Sequence, residues 1–311
     1  MRRKILILAA SLLVGSLAWG RELTSAYVIT AAANTPGLAG TEWHTDLTLY
    51  NPHNYDLPVV LYFLPSGRDN SGSVPNAALD VRAYETLNLW DVLGPDGFDG
   101  HGTGALLVYA DPDRITCSGQ DTSCDFAAFS RTYTLDPSGA AGEYGQAVPG
   151  FPAHLGLDWT VTAYLPQIID DNDFRTNLGV ASWTPVPVWV RVYLFDSDGS
   201  QIGTPHDHYV PAFGHIQWRM EADRAVTGGT VAFDILDGPS DAMVYPYASV
   251  VNWDTGDPIN VEAQLTPISV SGQGMRVNAA SVRAGRPGLR EVPVGVPATG
   301  FDLDGLRARG R

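Results

Sequence analysis

Residues 43–49 read WHTDLTL, and residues 174–180 read FRTNLGV, so two similar segments lie 131 positions apart. At this offset the match continues without a gap to VVLYF at residues 59–63 and VRVYL at residues 190–194. Apolar positions coincide at each step. Self-similarity at a fixed offset is typical of a repeated structural unit. The sequence therefore predicts two tandem copies of one unit.

The later parts of the two copies also follow one another in the same order. Leu89-Trp90 is matched with Gln217-Trp218, because each pair contains a tryptophan. Two further matches complete the comparison: residues 104–108 with 229–233, and residues 129–133 with 245–249.

Each copy is predicted to be all-β. Short runs rich in Val, Tyr, Trp, Thr and Phe alternate with Gly, Pro, Asp and Asn, which is typical of strands and turns. About seven strands are expected per copy, the fourth near residues 79–90 and near residues 206–219. Seven short strands in about 100 residues are typical of an immunoglobulin-like β-sandwich. We expect repeat 1 at residues 21–153 and repeat 2 at residues 154–267.

The alternation of side chains along the third strand of each copy is unusual. Every second residue should face the core, and the opposite face should meet solvent. That opposite face carries Tyr62 in the first copy, and it carries Trp189, Tyr193 and Phe195 in the second. This excess of aromatic side chains predicts that something covers them.

The repeated pattern resembles a known type of module. Its motifs are TDL at residues 45–47 with NP at residues 51–52, and RTNLG at residues 175–179, after which SW at residues 182–183 departs from NP. Residues 26–265 are similar to tandem immunoglobulin-like repeats of secreted bacterial proteins of unassigned function. The resemblance implies a sandwich fold and an exported location, and it implies no chemistry.

The N-terminus is predicted to direct export. Residues 1–4 read MRRK, an apolar run follows at residues 5–19, and residues 18–20 read AWG, which together are typical of a signal peptide over residues 1–20. A membrane anchor is the weaker alternative, because about 15 apolar residues are fewer than the roughly 20 that span a bilayer. No membrane span is expected in the mature chain. The predicted location is secreted, either extracellular or periplasmic, with association to a cell surface as one form of it.

The charge is distributed unevenly along the chain. The formal net charge is −15, yet residues 21–267 hold 9 Arg against 31 Asp and Glu. An acidic body repels nucleic acid and anionic membranes, so neither is an expected partner. Residues 268–311 hold 7 Arg and many Gly and Pro, without clear periodicity. This composition predicts a flexible tail.

Cys117 and Cys124 are the only cysteines. An exported chain meets oxidising conditions, so we expect a disulfide across a hairpin tip. A metal site is the alternative, although two thiolates make only half of a zinc site.

Calcium is the one cofactor considered. Asp196, Asp198 and Gly199 resemble the start of a calcium loop, and Asp170 and Asp171 form a second acidic cluster. The glutamate required at the twelfth position of such a loop is absent. A hairpin turn at residues 198–199 is the favoured interpretation.

Three further motifs are interpreted structurally. DGHGTG at residues 99–104 resembles the histidine block of subtilisin-like proteases, but the chain has no Gly-Thr-Ser segment for the nucleophile, which favours a glycine-rich turn. His206 and His208 have metal-ligand spacing on a strand, but without a third ligand they indicate an exposed face. VPATG at residues 296–300 is similar to a sortase signal without its apolar segment.

These observations predict a non-enzymatic exported structural, adhesive or surface-associated protein whose partner is a protein or carbohydrate at a cell surface. The alternative is a carbohydrate-binding module, because flat aromatic side chains stack on sugar rings. Its candidate ligand-binding residues are Trp183, Trp189, Tyr193 and Phe195. No catalytic residue is identified, and an enzyme is the third hypothesis.

Overall fold

The computed structural model describes residues 23–37, 40–116, 122–136, 142–268 and 292–308. Most of these residues lie in strands, which confirms the all-β prediction. The predicted signal peptide lies outside the described residues.

The described residues of the N-terminal half, here called the first unit, form nine strands. They are β1 (Ala26–Pro36), β2 (Glu42–Tyr50), β3 (Leu57–Pro65), β4 (Ser73–Val81), β5 (Thr86–Leu89), β6 (Gly102–Ala110), β7 (Ala127–Leu135), β8 (Glu143–Pro149) and β9 (Phe151–Pro152). The next nine form the second unit: β10 (Val161–Asp170), β11 (Phe174–Ser182), β12 (Val188–Phe195), β13 (Gln201–Val210), β14 (His215–Arg219), β15 (Val226–Asp237), β16 (Val244–Asn252), β17 (Pro258–Glu262) and β18 (Gln264–Pro267). Strand β19 (Val294–Pro297) and helix α1 (Leu303–Ala308) follow.

Each unit has two layers of strands, here called its front and back sheets. In the first unit the front order is β4-β3-β6-β1 and the back order is β5-β2-β7-β8, with β1 passing from one to the other. In the second unit the front order is β13-β12-β15-β10-β18 and the back order is β14-β11-β16-β17. The two orders correspond strand by strand, because β9 pairs with β1 in the first unit as β18 pairs with β10 in the second.

The strand registers correct two of the residue matches made from sequence. Leu47 lies opposite Leu89, and Leu178, 131 positions later, lies opposite Trp218, so Leu89 rather than Trp90 is the equivalent of Trp218. Matching tryptophan with tryptophan shifted that alignment by one residue. The match of residues 104–108 with 229–233 agrees with the structure. The first segment pairs with β3, and the second pairs with β12 in the equivalent register.

The match of Phe129 with Tyr245 is also wrong. Thr48 lies opposite Phe129, and Gly179 lies opposite Tyr247, so Tyr247 is the equivalent of Phe129. The preceding connections differ in length between the units, which sequence similarity alone did not reveal.

The predicted fourth strand is two strands in each unit. Residues 79–90 leave the front sheet at the end of β4 and enter the back sheet as β5. The turn between them contains Tyr84 with a φ of 59°, and the same turn in the second unit contains Phe213 with a φ of 44°. Bulky residues rarely occupy this left-handed region, and in neither turn is the residue at this position a glycine, which would have marked the turn in the sequence.

The units pack against each other through buried side chains. Strands β1 and β6 of the first front sheet contact β11, β14 and β16 of the second back sheet. Val60, Tyr62, Leu107 and Tyr109, on the outer side of the first front sheet, are buried in one cluster with the second unit's core. Each large apolar side chain buried in this way contributes about 1.5–3 kcal/mol.

Polar contacts also join the units. Asn70 donates its N–H to the carbonyl oxygen of Ala212 at 2.9 Å and its amide to that of Phe213 at 3.0 Å. The Ser249 hydroxyl donates to Gln146 Oε1 at 3.0 Å. These buried hydrogen bonds fix one arrangement of the two units, because breaking any of them would leave a buried polar group without a partner.

The prediction of a flexible tail is wrong for residues 292–308. Strand β19 pairs in parallel with β4, with Val294 opposite Ser73. Helix α1 buries Leu306 completely in the first unit's core, and Phe301 packs edge-on against Phe98 at 5.2 Å. The rest of the predicted tail beyond residue 268 lies outside the described residues. Among the described residues, no helix has the length and apolar character to cross a membrane.

Candidate binding surfaces

The outer face of the second front sheet carries the largest exposed aromatic group of this unit. Trp189, Arg191, Tyr193 and Phe195 alternate on β12 with residues that point into the core, so all four lie on the outer side. Tyr209 joins them because it lies opposite Trp189 on β13. We call these five residues, together with Asp207 and Tyr164, the second front face.

The aromatic rings of the second front face form two pairs. Trp189, 40% exposed, meets Tyr209 at 5.4 Å between ring centres with an interplanar angle of 65°. Tyr193 and Phe195 lie 6.4 Å apart and are nearly parallel, at 17°. The first pair is edge-to-face and does not make one flat platform, whereas the second presents two rings of similar orientation.

A charged pair crosses the middle of this face. Arg191 donates from Nε and Nη2 to the two carboxylate oxygens of Asp207, at 2.7 and 2.9 Å. This two-pronged contact lowers the pKa of Asp207. Burial, with a smaller effect of Asp234, raises the pKa of Tyr193. The face therefore presents neutral aromatic rings around a compensated ion pair at neutral pH.

Trp183 does not belong to this face. Its side chain is buried and lies 6.2 Å from the ring of Tyr109 in the first unit. It is an interface residue, and a sugar could not stack on it in this arrangement. Of the four aromatic residues proposed from the sequence, Trp189, Tyr193 and Phe195 are brought together.

Sequence reasoning missed Tyr209 and Tyr164. Tyr164 is 37% exposed and lies opposite Ala232, which in turn lies opposite Tyr193. Both tyrosines alternate with core residues on their strands, but they could be placed beside β12 only once the strand order was known.

The second unit also has an open cleft between its two sheets. It encloses about 360 Å³ at the edge formed by β13 and β14. Most of its lining is apolar, from Leu178, Val192, Leu194, Ile202, Trp218 and Met220, and the lining also includes His206, His208 and the charged residues Arg219, Glu221 and Asp223. Cavities of about 300–1,000 Å³ are typical of small-molecule sites.

The first unit closes the equivalent edge. Leu79 occupies the position of His208, and Leu89 that of Trp218. A longer connection before β6 contributes buried Val92 and Phe98 to the same core, and Leu306 of α1 completes the cover. The cleft therefore follows from a short connection between β14 and β15 and from histidine in place of leucine.

His206 and His208 share one side of β13 and both line the cleft; His206 is exposed, as predicted, whereas His208 is half-buried. The ring of His208 stacks on Trp218 at 3.9 Å and 21°. Burial, reinforced by His206, lowers the pKa of His208, so this ring is neutral at pH 7. The part of the chain that the structure describes contains no group of three or more His, Cys, Asp or Glu that could hold a metal ion.

The aspartates considered for calcium serve the hairpin turns. Asp196 forms an ion pair with Arg224 at 2.7 Å, and its N–H donates to the carbonyl oxygen of Ser200 at 2.8 Å, closing a hairpin in which Gly199 has a φ of 83°. The Asp198 carboxylate accepts the Ser200 N–H at 2.8 Å. This is the hairpin favoured by the sequence.

The second acidic cluster caps the turn between β10 and β11. Asp170 accepts the N–H of Thr176 at 3.0 Å, and Asp171 accepts those of Asp173 and Phe174, both at 2.9 Å. These oxygens are occupied by the backbone, which explains the acidic sequence without a cation.

The remaining motifs have structural positions. In the protease-like segment, residues 99–101 lead into β6 and residues 102–104 are its first residues, with Asp99 at a φ of 47° and Gly102 at 100°. Val296 and Pro297 of the sortase-like segment belong to β19. Cys124 is buried, and Cys117 lies outside the described residues, so the disulfide stays a prediction.

Comparisons with known proteins are sparse. No family model matches the chain, and no curated protein matches it. Among solved structures, the chain is compared with a lectin from Pleurotus ostreatus in complex with GalNAc. The identity is 10%, the comparison covers 79% of this chain and 84% of the lectin, and the TM-score is 0.17, so this likeness carries no argument.

Proposed function

We propose that this chain is an exported, non-enzymatic protein of the cell surface or its surroundings, made of two tandem immunoglobulin-like sandwiches. It acts by binding a protein or carbohydrate, and the second front face is its binding surface. The charged N-terminus followed by an apolar run supports export. The strand-by-strand correspondence of the two units supports the tandem arrangement.

One observation carries the choice of surface. Tyr62 and Tyr193 occupy equivalent positions, opposite Leu107 on β6 and Ala232 on β15. Tyr62 is buried where the first unit meets the second, whereas Tyr193 and its neighbour Trp189 remain accessible. Contiguous exposed aromatic side chains on a soluble domain are typical of interaction sites.

The proposal is tested by retention of the purified chain on whole cells, insoluble polysaccharides and immobilised culture-supernatant proteins, with and without calcium. We expect retention on at least one of them, and its loss when Trp189 and Tyr193 are both replaced by Ala. Ile259→Ala is the matched control, because Ile259 is 58% exposed on β17, away from the second front face. Retention that survives the double replacement would assign binding to another surface, and cleavage of any of these materials would overturn the non-enzymatic part.

Carbohydrate binding in the cleft is the second candidate. The observation that favours it is the aromatic ring of Trp218 beside the hydrogen-bonding groups of His206 and His208 in a cavity of suitable size. Titration with soluble oligosaccharides should then quench tryptophan fluorescence in the chain and not in a Trp218→Phe variant. Equal responses in both proteins, or none, would remove this candidate.

A further inference from the structure

We propose that the chain assembles head to tail, with the second front face of one copy bound to the outer side of the first back sheet of another copy. This inference rests on the proposed function, because it names a second copy of the chain as the partner of that face. It follows from the way the two units of one chain already pack.

The contact within the chain joins a front face to a back face. On the first unit, Tyr62 and Tyr109 on the outer side of the front sheet are buried. On the second unit, Tyr245, Tyr247 and Val251 on the outer side of the back sheet are buried, with 1–3% exposure. Since both units have the same strand order, each unit has one face of each kind. One front face and one back face are therefore left over.

The leftover back face belongs to the first unit and carries exposed apolar and aromatic side chains. We call it the first back face and define it by Tyr50, Tyr84, Phe129, Arg131 and Leu135. Phe129 is 43% exposed, although its equivalent Tyr247 is buried in the contact between the units. Tyr50 and Leu135 are exposed on the same side of the sheet. Both faces that take no part in the contact within the chain, the second front face and the first back face, thus carry aromatic side chains.

Tyr84 provides an independent indication. Its N–H donates to the carbonyl oxygen of His53 at 3.0 Å, just as the N–H of Phe213 donates to that of Thr184 at 2.8 Å, so the two turns are built alike. Both residues have positive φ values. Phe213 is buried against the first unit, whereas Tyr84 is 63% exposed. A bulky exposed residue in a strained conformation indicates a role outside its own unit.

The geometry makes the assembly open-ended. The first back face and the second front face lie on different units of one chain, so a copy that binds a neighbour through one face still offers the other. Contacts of this heterologous kind generate filaments unless the rotation closes a ring. The new contact repeats the front-to-back contact within the chain.

Two single substitutions and their mixture test the inference. Light scattering and sedimentation should show that the mass of the purified chain grows with concentration, between about 1 μM and 1 mM, without stopping at a dimer. Phe129→Glu and Trp189→Glu should each remain monomeric. Their equimolar mixture should form a dimer, because one intact contact remains between an unmodified second front face and an unmodified first back face.

Controls separate a lost contact from a lost fold. Ile259→Glu introduces the same charge at an exposed site outside both faces and should assemble like the unmodified chain. Tyr84→Asn, whose side chain tolerates a positive φ, is a second way to weaken the first back face and should reduce assembly with an unchanged circular dichroism spectrum. Each variant is compared by thermal melting.

A chain that stays monomeric over this range, a symmetric dimer that does not grow, or a mixture without a dimer would overturn head-to-tail assembly. A different result would overturn the proposed function. Phe129→Glu alters only the first unit, so it should abolish assembly and keep retention on a target, whereas Trp189→Glu should abolish both. If a strictly monomeric chain is retained on a target, the proposed function stands and head-to-tail assembly is wrong, because the partner of the second front face is then that target and not a second copy of the chain.

Discussion

His215 of the second unit places its Nδ1 2.9 Å from the hydroxyl oxygen of Ser66 in the first unit. On its other side, Nε2 lies 2.8 Å from the hydroxyl oxygen of Tyr247. The imidazole is completely buried, and burial lowers its pKa to about 4, against a smaller opposing effect of the Thr30 backbone. A neutral ring at the junction therefore joins the two units.

Acid should weaken this junction. Because the pKa of His215 is about 4 in the folded chain and about 6.5 when unfolded, the unfolded state binds more protons between these values. The contribution is fully present above pH 6.5 and is lost as the pH falls towards 4. We expect the free energy of unfolding to fall by about 1.4 kcal/mol per pH unit from this group. Denaturant unfolding at several pH values measures the slope.

Two variants test whether the pH dependence of the unfolding free energy comes from His215. His215→Asn should flatten it, and His101→Asn, at an exposed position, should leave it unchanged. Equal slopes in the unmodified chain and in His215→Asn would contradict the assignment.

Replacing Trp183 by Ala should lower the free energy of unfolding much more than replacing Trp189 by Ala. Trp183→Ala removes a ring packed against Tyr109 between the units and should cost about 3–5 kcal/mol of unfolding free energy. Trp189→Ala, on the second front face, should change stability by less than about 0.5 kcal/mol. Thermal and denaturant melts of the two variants check this contrast. Comparable losses in both would mean that Trp189 is a structural residue.

The C-terminal segment should stabilise the first unit. Leu306 of α1 is completely buried in the core of the first unit, so Leu306→Ala should cost about 2–5 kcal/mol of unfolding free energy. Val296→Ala in the same segment is the control, because Val296 is 48% exposed on β19. If the two variants unfold alike, residues 292–308 do not pack on the first unit in solution.

Tyr84 should lower the free energy of unfolding relative to a glycine at the same position. Its φ of 59° is unfavourable for a residue with a large side chain, so Tyr84→Gly should raise the free energy of unfolding by about 1 kcal/mol. Equilibrium unfolding at low protein concentration, where copies do not interact, is the relevant measurement. A loss of stability would show that the tyrosine ring makes a contact important within its own unit.

The sequence predicted the fold class well because periodicity is local. The 131-residue offset placed Leu47 and Leu178, and Leu61 and Val192, in the same environment, as the structure finds. It could not reveal that residues 79–90 turn from one sheet to the other, since the turn contains Tyr84 rather than glycine. The weak alternation of residues 292–308 likewise gave no sign that α1 covers the first unit.

Only part of the second front face could be predicted from the sequence. Trp189, Tyr193 and Phe195 lie on one strand, so alternation alone grouped them. Tyr209 comes from a neighbouring strand, and its position depends on pairing over a distance in the chain. Trp183 was misplaced because its burial depends on the packing of one unit on the other.

Oxidative footprinting of aromatic side chains, with the chain free and bound to a target that retains it, tests the binding role of the second front face most directly. If the second front face binds the target, Trp189 and Tyr209 should lose reactivity on binding, while Tyr55 of the first unit, 37% exposed, should stay reactive when the target is not a second copy of the chain. Unchanged reactivity of Trp189 and Tyr209 in the bound chain would contradict that role.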